Sequence, residues 1–165
     1  MILVLLSFLI IAIYMGVMIQ REKEVPYSIS ATYYLLKNRF WFGICMISCG
    51  LLLLPSAFIA STEDSHFLVF LSVVGMVILG VSPNFKTEQK VPHAVGACMS
   101  LIFSQIWVGC NVWYWLLLWV SLIVYVIVSM KKNWNGNFIV SFINRKPMFW
   151  VEIVSLLTVY ITCLV

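Results

Sequence analysis

Charge is what this sequence has least of: ten Lys and Arg and six Asp and Glu among 165 residues, where soluble globular domains carry about 25% charged residues. With 63% of the chain apolar and 10% charged, a water-facing surface cannot be assembled, and lipid is left to cover the exterior. Histidine is scarcer still. His66 and His93 stand in different loops, and Cys45, Cys49, Cys98, Cys110 and Cys163 form no C-x-x-C pair. Such spacing predicts no metal and no cofactor, and the cysteines read as small apolar packing residues. H-E-x-x-H, G-x-S-x-G and paired acidic motifs are missing from the apolar runs, which argues against a lipid-modifying enzyme. The net charge of +4 is spread in small groups between apolar runs, so nucleic acid is not an expected partner.

What the chain does have is length without charge. A helix rising ~1.5 Å per residue crosses a hydrocarbon core ~30 Å thick in about 20 residues. On that ruler the runs predict spans at about 1–19, 40–60, 66–82, 93–109, 112–130 and 147–165. The first run lacks a basic leader region and an A-x-A-like cleavage site, and so reads as an anchor rather than a signal peptide. Pro83-Asn84 ends the third run. Val91 to Met130 has no Lys, Arg, Asp or Glu and is about two crossings long. Its Gly109-Cys110-Asn111 signal predicts a tight helical hairpin. Pro147 opens the last run at a first helical position. The expected fold is an all-α integral membrane protein, a single transmembrane domain over 1–165 built as a six-helix bundle.

All ten basic residues then fall on one side. Arg21, Lys23, Lys37 and Arg39 precede the second span, Lys86 and Lys90 the fourth, and Lys131, Lys132, Arg145 and Lys146 the sixth. The other side has Glu63, Asp64 and the uncharged Gly-Cys-Asn turn. The positive-inside rule predicts cytoplasmic basic loops, both termini outside, and three hairpins closed on the cytoplasmic side. The expected location is a plasma membrane, a bacterial inner membrane, with membrane lipids as partners and a homo-oligomer as an open alternative. Two amphipathic loop segments predict short interfacial helices: Tyr27 to Leu36, with Ser28 and Ser30 as caps, and Phe138-Ile139-Val140 after Asn135-Gly136-Asn137. Lys37-Asn38-Arg39-Phe40-Trp41-Phe42 faintly resembles the stretch from Asn144 to Trp150. Basic-then-aromatic is what any inner interface selects, so the likeness does not require a duplication.

Two faces carry polar chemistry. In the fourth span His93, Gly96, Ala97, Ser100 and Ser104 recur three or four residues apart. The small residues read first as helix packing, while His93 with Lys86 and Lys90 reads as a candidate anion mouth at a helix N-terminus. In the sixth span Glu152, Ser155, Thr158 and Thr162 share an arc. A carboxylate at such depth usually faces the bundle interior, and its alternative reading is an interfacial residue paired with a loop Lys or Arg. Gln105, Trp107, Trp113, Trp115 and Trp119 enrich the outer half of the four-five hairpin, consistent with an aromatic belt for those nearest the turn. Pro55 is expected to kink its helix.

Val91-Pro92-His93-Ala94-Val95-Gly96-Ala97, opening a helix after a loop, resembles the broad DRAM/Frag-type group of small six-helix membrane proteins. Pro83-Asn84-Phe85-Lys86 and Tyr27 to Tyr34 resemble segments of uncharacterised small bacterial membrane proteins. The resemblance implies a six-helix bundle with a cytoplasm-facing polar site and supplies no reaction. The functional expectation is non-enzymatic conduction or carriage of an ion or small ligand through a polar interior lined by His93, Lys86, Lys90, Ser100, Ser104, Glu152, Ser155 and Thr158. The alternative is a membrane-embedded binding, sensor or accessory protein offering its basic loops to an anionic ligand, lipid or protein.

Overall fold

The computed structural model describes residues 1–82, 90–132 and 136–165. Among them the chain is helical and has no strand. The long elements are α1 (Ile2–Glu22), α2 (Phe40–Ile59), α3 (His66–Val81), α4 (Lys90–Val112), α5 (Leu117–Lys132) and α7 (Pro147–Thr162), with the short α6 (Phe138–Ile143) before the last. Segments Ile2–Glu22, Phe40–Ile59, Glu63–Val81 and Val91–Lys132 are long and apolar enough to cross a membrane, and Pro147–Thr162 is a shorter apolar helix. Such helices are what an integral membrane protein requires, since in lipid every backbone polar group must be paired within the chain.

Helices α1 to α4 pack as successive antiparallel neighbours. Ser7 meets Cys49 and Tyr14 meets Phe42 across the α1–α2 seam, and Gly43 abuts Gly80 across α2–α3. The closest seam is α3–α4. A Cβ added at Gly75 would stand 2.5 Å from the Ser100 amide nitrogen, and one at Gly96 would stand 2.7 Å from that of Leu79. The hydroxyl of Ser72 donates across this seam to the Ser100 carbonyl at 3.1 Å. Gly96 and Ser100 thus do what small residues do in lipid, where backbone proximity replaces a hydrophobic drive.

The 42-residue segment Val91–Lys132 would be ~63 Å long as one helix. It instead breaks at Val112 (φ −146°, ψ 62°) into a 3-10 turn, Trp113–Leu116. The chain then reverses, because the Trp119 indole N–H reaches back to Gln105 Oε1 at 2.9 Å. The expected turn at Gly109-Cys110-Asn111 is therefore displaced: those residues form the last turn of α4. Asn111 is held there by side-chain bonds, accepting from the Thr62 amide at 2.9 Å and donating to Ser65 Oγ at 3.0 Å. The helices found there are Lys90–Val112 and Leu117–Lys132, where spans at about 93–109 and 112–130 are expected from the sequence. Beyond the turn α5 leans away from α4 onto α7, where Tyr125 and Trp150 meet at 5.5 Å.

α7 begins at Pro147, as the sequence predicts, after Lys146 in a left-handed conformation. It packs on α4 and α5 and reaches α1 through Tyr160. The pairing of Ser7 with Tyr160, and of Lys146 with Glu24, puts the two chain ends together at one end of the bundle and these two loops at the other. In α2, Pro55 lies inside a helix that runs on to Ile59.

Gly96→Ala is expected to destabilise the fold by about 1–3 kcal/mol, the usual cost of overpacking, because backbone rather than a flexible side chain stands in the way. Gly16→Ala, with nothing within 4 Å of its added Cβ, is the neutral comparison. Unfolding of both variants in mixed detergent measures the difference.

Candidate functional site

Polar groups gather at three places along α7. Nearest the chain ends, Ser7 Oγ donates to the Cys49 carbonyl at 3.0 Å. Tyr160 Oη lies 2.9 Å from that hydroxyl and 3.0 Å from Cys49 Sγ. This cluster ties α1, α2 and α7.

One to two turns along stands Gln105 of α4. Its Oε1 faces the Trp119 indole N–H at 2.9 Å and the Thr158 hydroxyl at 3.0 Å. Its Nε2 faces Ser155 Oγ at 2.9 Å, with the Ser155 carbonyl and Ser104 Oγ each at 3.2 Å. An indole nitrogen only donates, so the amide oxygen belongs at the Trp119 end. Both ends of the amide are engaged, and one side chain joins α4, α5 and α7. Thr158 and Thr162 also lie within bonding distance of carbonyls of their own helix, at 2.8 Å each, a usual resort for a mid-helix hydroxyl.

The third place is Glu152. Its Oε1 accepts from Ser30 Oγ at 2.8 Å, and its Oε2 accepts from the Ile29 amide. These donors open the 3-10 helix Ser30–Leu35, whose first turn is also closed by Ser28 Oγ accepting from the Ala31 amide at 2.8 Å. A carboxylate from α7 therefore serves as the anionic cap of a helix in the α1–α2 loop. Among the described side chains the ion pairs are Arg21–Glu22 and Lys146–Glu24, and Glu152 is in neither; of the loop bases expected as its alternative partners, Lys86 lies outside the described residues. Lys146 also donates to the Val25 carbonyl. The loop is thus fastened to the start of α7 at two points.

Between α4 and α7, on the Glu152 side of Gln105, the helices leave open space. A cavity of about 290 Å³ lies there. Its walls include Met46, Met76, Leu101, Met148 and Leu156, with Ile29, Ser30 and Glu152 at the loop end and Ser100 and Ser155 toward Gln105. From Met148 to Leu156 it follows α7 for ~12 Å. Cys98, Ile102 and Met148 on its rim are exposed, so the cavity opens sideways between the two helices. A smaller cavity of about 50 Å³ continues past Ser100 and Ser155 to Ser104 and Trp107.

Of the residues expected to form a site, the structure brings Ser100, Glu152 and Ser155 together on one cavity, and Ser104 and Thr158 into the Gln105 cluster. His93 is apart from both. Half-buried in the first turn of α4, its ring lies 6.4 Å from that of Tyr33 and 6.5 Å from that of Phe42. Lys86 lies outside the described residues, and Lys90 is placed as the first residue of α4. Gln105 and Tyr160 were not among the expected site residues. Nor was the inward role of two tryptophans: Trp107 is 2% exposed and donates to Ser61 Oγ at 2.7 Å, while Trp119 serves Gln105. Trp113, at the turn, is exposed as a belt residue should be.

No family model, curated protein or solved structure matches this chain.

Gln105→Leu removes a group that three helices share and leaves the Trp119 indole N–H without its acceptor. The expected cost is about 1–3 kcal/mol, the penalty for an unpaired buried donor. Detergent unfolding of Gln105→Leu beside Trp119→Phe measures it, and a double mutant no worse than Gln105→Leu alone shows that the two residues act through one bond.

Proposed function

We propose that this protein is a six-span membrane protein with both termini outside the cytoplasm, which binds and carries a small, largely apolar ligand in the cavity between α4 and α7 and performs no covalent chemistry on it. The cavity is the observation that carries this reading. It has the size and the apolar lining with few polar groups of a small-molecule site, and it opens sideways, where a ligand dissolved in the bilayer would enter. The saturated bonding of Gln105 favours a ligand with an apolar body over a bare inorganic ion as cargo. A cluster with every polar site engaged holds helices together better than it passes ions.

The orientation is supported by the one-sided distribution of basic residues and by the chain ends meeting through Ser7 and Tyr160. Reporter fusions at residues 30 and 138 are expected to read cytoplasm, and fusions at 63 and 165 the opposite side. A cytoplasmic signal at 165 contradicts the arrangement.

Native mass spectrometry of the full chain released from mild detergent tests the cavity. Bound small molecules are expected on the wild type and absent from Ala97→Phe, which puts a ring into the cavity from the α4 wall. Identical spectra would remove the carrier reading.

A further inference from the structure

We propose that the ligand of this cavity is a lipophilic cation, an ammonium or phosphonium centre on an apolar body, with Glu152 as its counter-charge. The inference rests on the carrier reading above and adds the chemical class of the cargo.

Glu152 is on the cavity wall, and its carboxylate is not used up. A carboxylate has about four lone-pair sites, and the Ile29 amide with the hydroxyl and amide of Ser30 take three. No Arg or His, and no Lys whose side chain is described, lies within ion-pair distance of it. Three hydrogen bonds hold the group in place without neutralising it, and an uncompensated charge facing an apolar space is expensive. A cation that enters with its own apolar body removes that cost, whereas a neutral guest leaves it and an anion adds to it.

The rest of the wall fits such a body. Met46, Met76 and Met148 line the cavity with Leu79, Leu101 and Leu156. Thioether side chains are unbranched and polarizable, so they adapt to guests of differing outline. A class of onium compounds is therefore expected rather than one exact shape. The carboxylate is bonded to Ile29 and Ser30, which line the cavity with it, so the charged centre belongs beside α7 at the Ile29–Ser30 end.

Equilibrium dialysis of the purified full chain in detergent, with tetraphenylphosphonium and tetraphenylborate in parallel, tests this, because the two probes share a shape and differ in the sign of charge. Saturable binding of one phosphonium per chain is expected, with borate at background. Affinity should fall at least about tenfold in Glu152→Gln, persist in Glu152→Asp and disappear in Ala97→Phe. The Gln amide keeps an acceptor for the Ile29 N–H and a donor for Ser30, so the loop stays fastened. If Glu152→Gln nevertheless fails to fold, the borate comparison and Ala97→Phe decide the matter. Equal binding of the two probes, or phosphonium binding unchanged by Glu152→Gln or by Ala97→Phe, overturns the proposal. Absence of phosphonium binding from a chain that still carries small molecules in native mass spectra overturns the cation class and leaves the carrier reading standing. Absence of both overturns both.

Discussion

A primary amide buried between apolar helices must find all its partners within the protein, and the position of Gln105 makes that demand the organising constraint of the bundle. Its oxygen and nitrogen are answered by Trp119 on one helix and by Ser155 and Thr158 on another. Helix α5 has little else to hold it: its fully buried side chains are Leu122 and Met130. Removing the amide would leave donors and acceptors in lipid, where each unmet group costs kcal/mol rather than tenths. The same bonds pin α7 to α4 at one level. The larger cavity lies between the same two helices, on the Glu152 side of that pin.

The α1–α4 half is built differently. It relies on small residues that let backbones nearly touch, Gly75 against Gly96 above all, and on the Ser7, Cys49 and Tyr160 cluster at one end. Close backbone packing leaves no room for adjustment. The α5–α7 half is held by side-chain hydrogen bonds and by a fastened loop, which can exchange partners. Any change of shape that admits a ligand is therefore expected on the α7 side of the cavity, against a fixed α3–α4 wall.

Helix positions are legible in the sequence because apolar runs of about 20 residues have few other meanings. Pro147 as a helix start, and Ser28 as a cap, follow from local backbone chemistry and stand in the structure. The turn after α4 does not follow. Gly109-Cys110-Asn111 has the composition of a turn, yet Asn111 is bonded to Thr62 and Ser65, forty-odd positions away, and the helix runs past it. Composition reports what a residue can do locally and says nothing of a partner that distant. Trp107 and Trp119 resemble belt residues in the sequence for the same reason, since Ser61 and Gln105 become their acceptors only once the chain is folded. The inward face of α7 is legible from its 3.6-residue period, but not what Glu152 meets there.

That meeting joins fold to function. A carboxylate six positions into an apolar helix is costly to insert, and packing alone does not require it: Ser30 and the Ile29 amide could be satisfied by a glutamine without charge. A Gln would serve the loop with less desolvation. The fastening of residues 24–30 is already shared by Lys146, which bonds Glu24 and Val25, so structural need accounts for a hydrogen-bonding group at position 152 and not for a negative one. The surplus is the charge itself. It stands on the wall of the larger cavity, without an ion pair among the described side chains, and a charge that the fold does not consume is available to whatever the cavity holds.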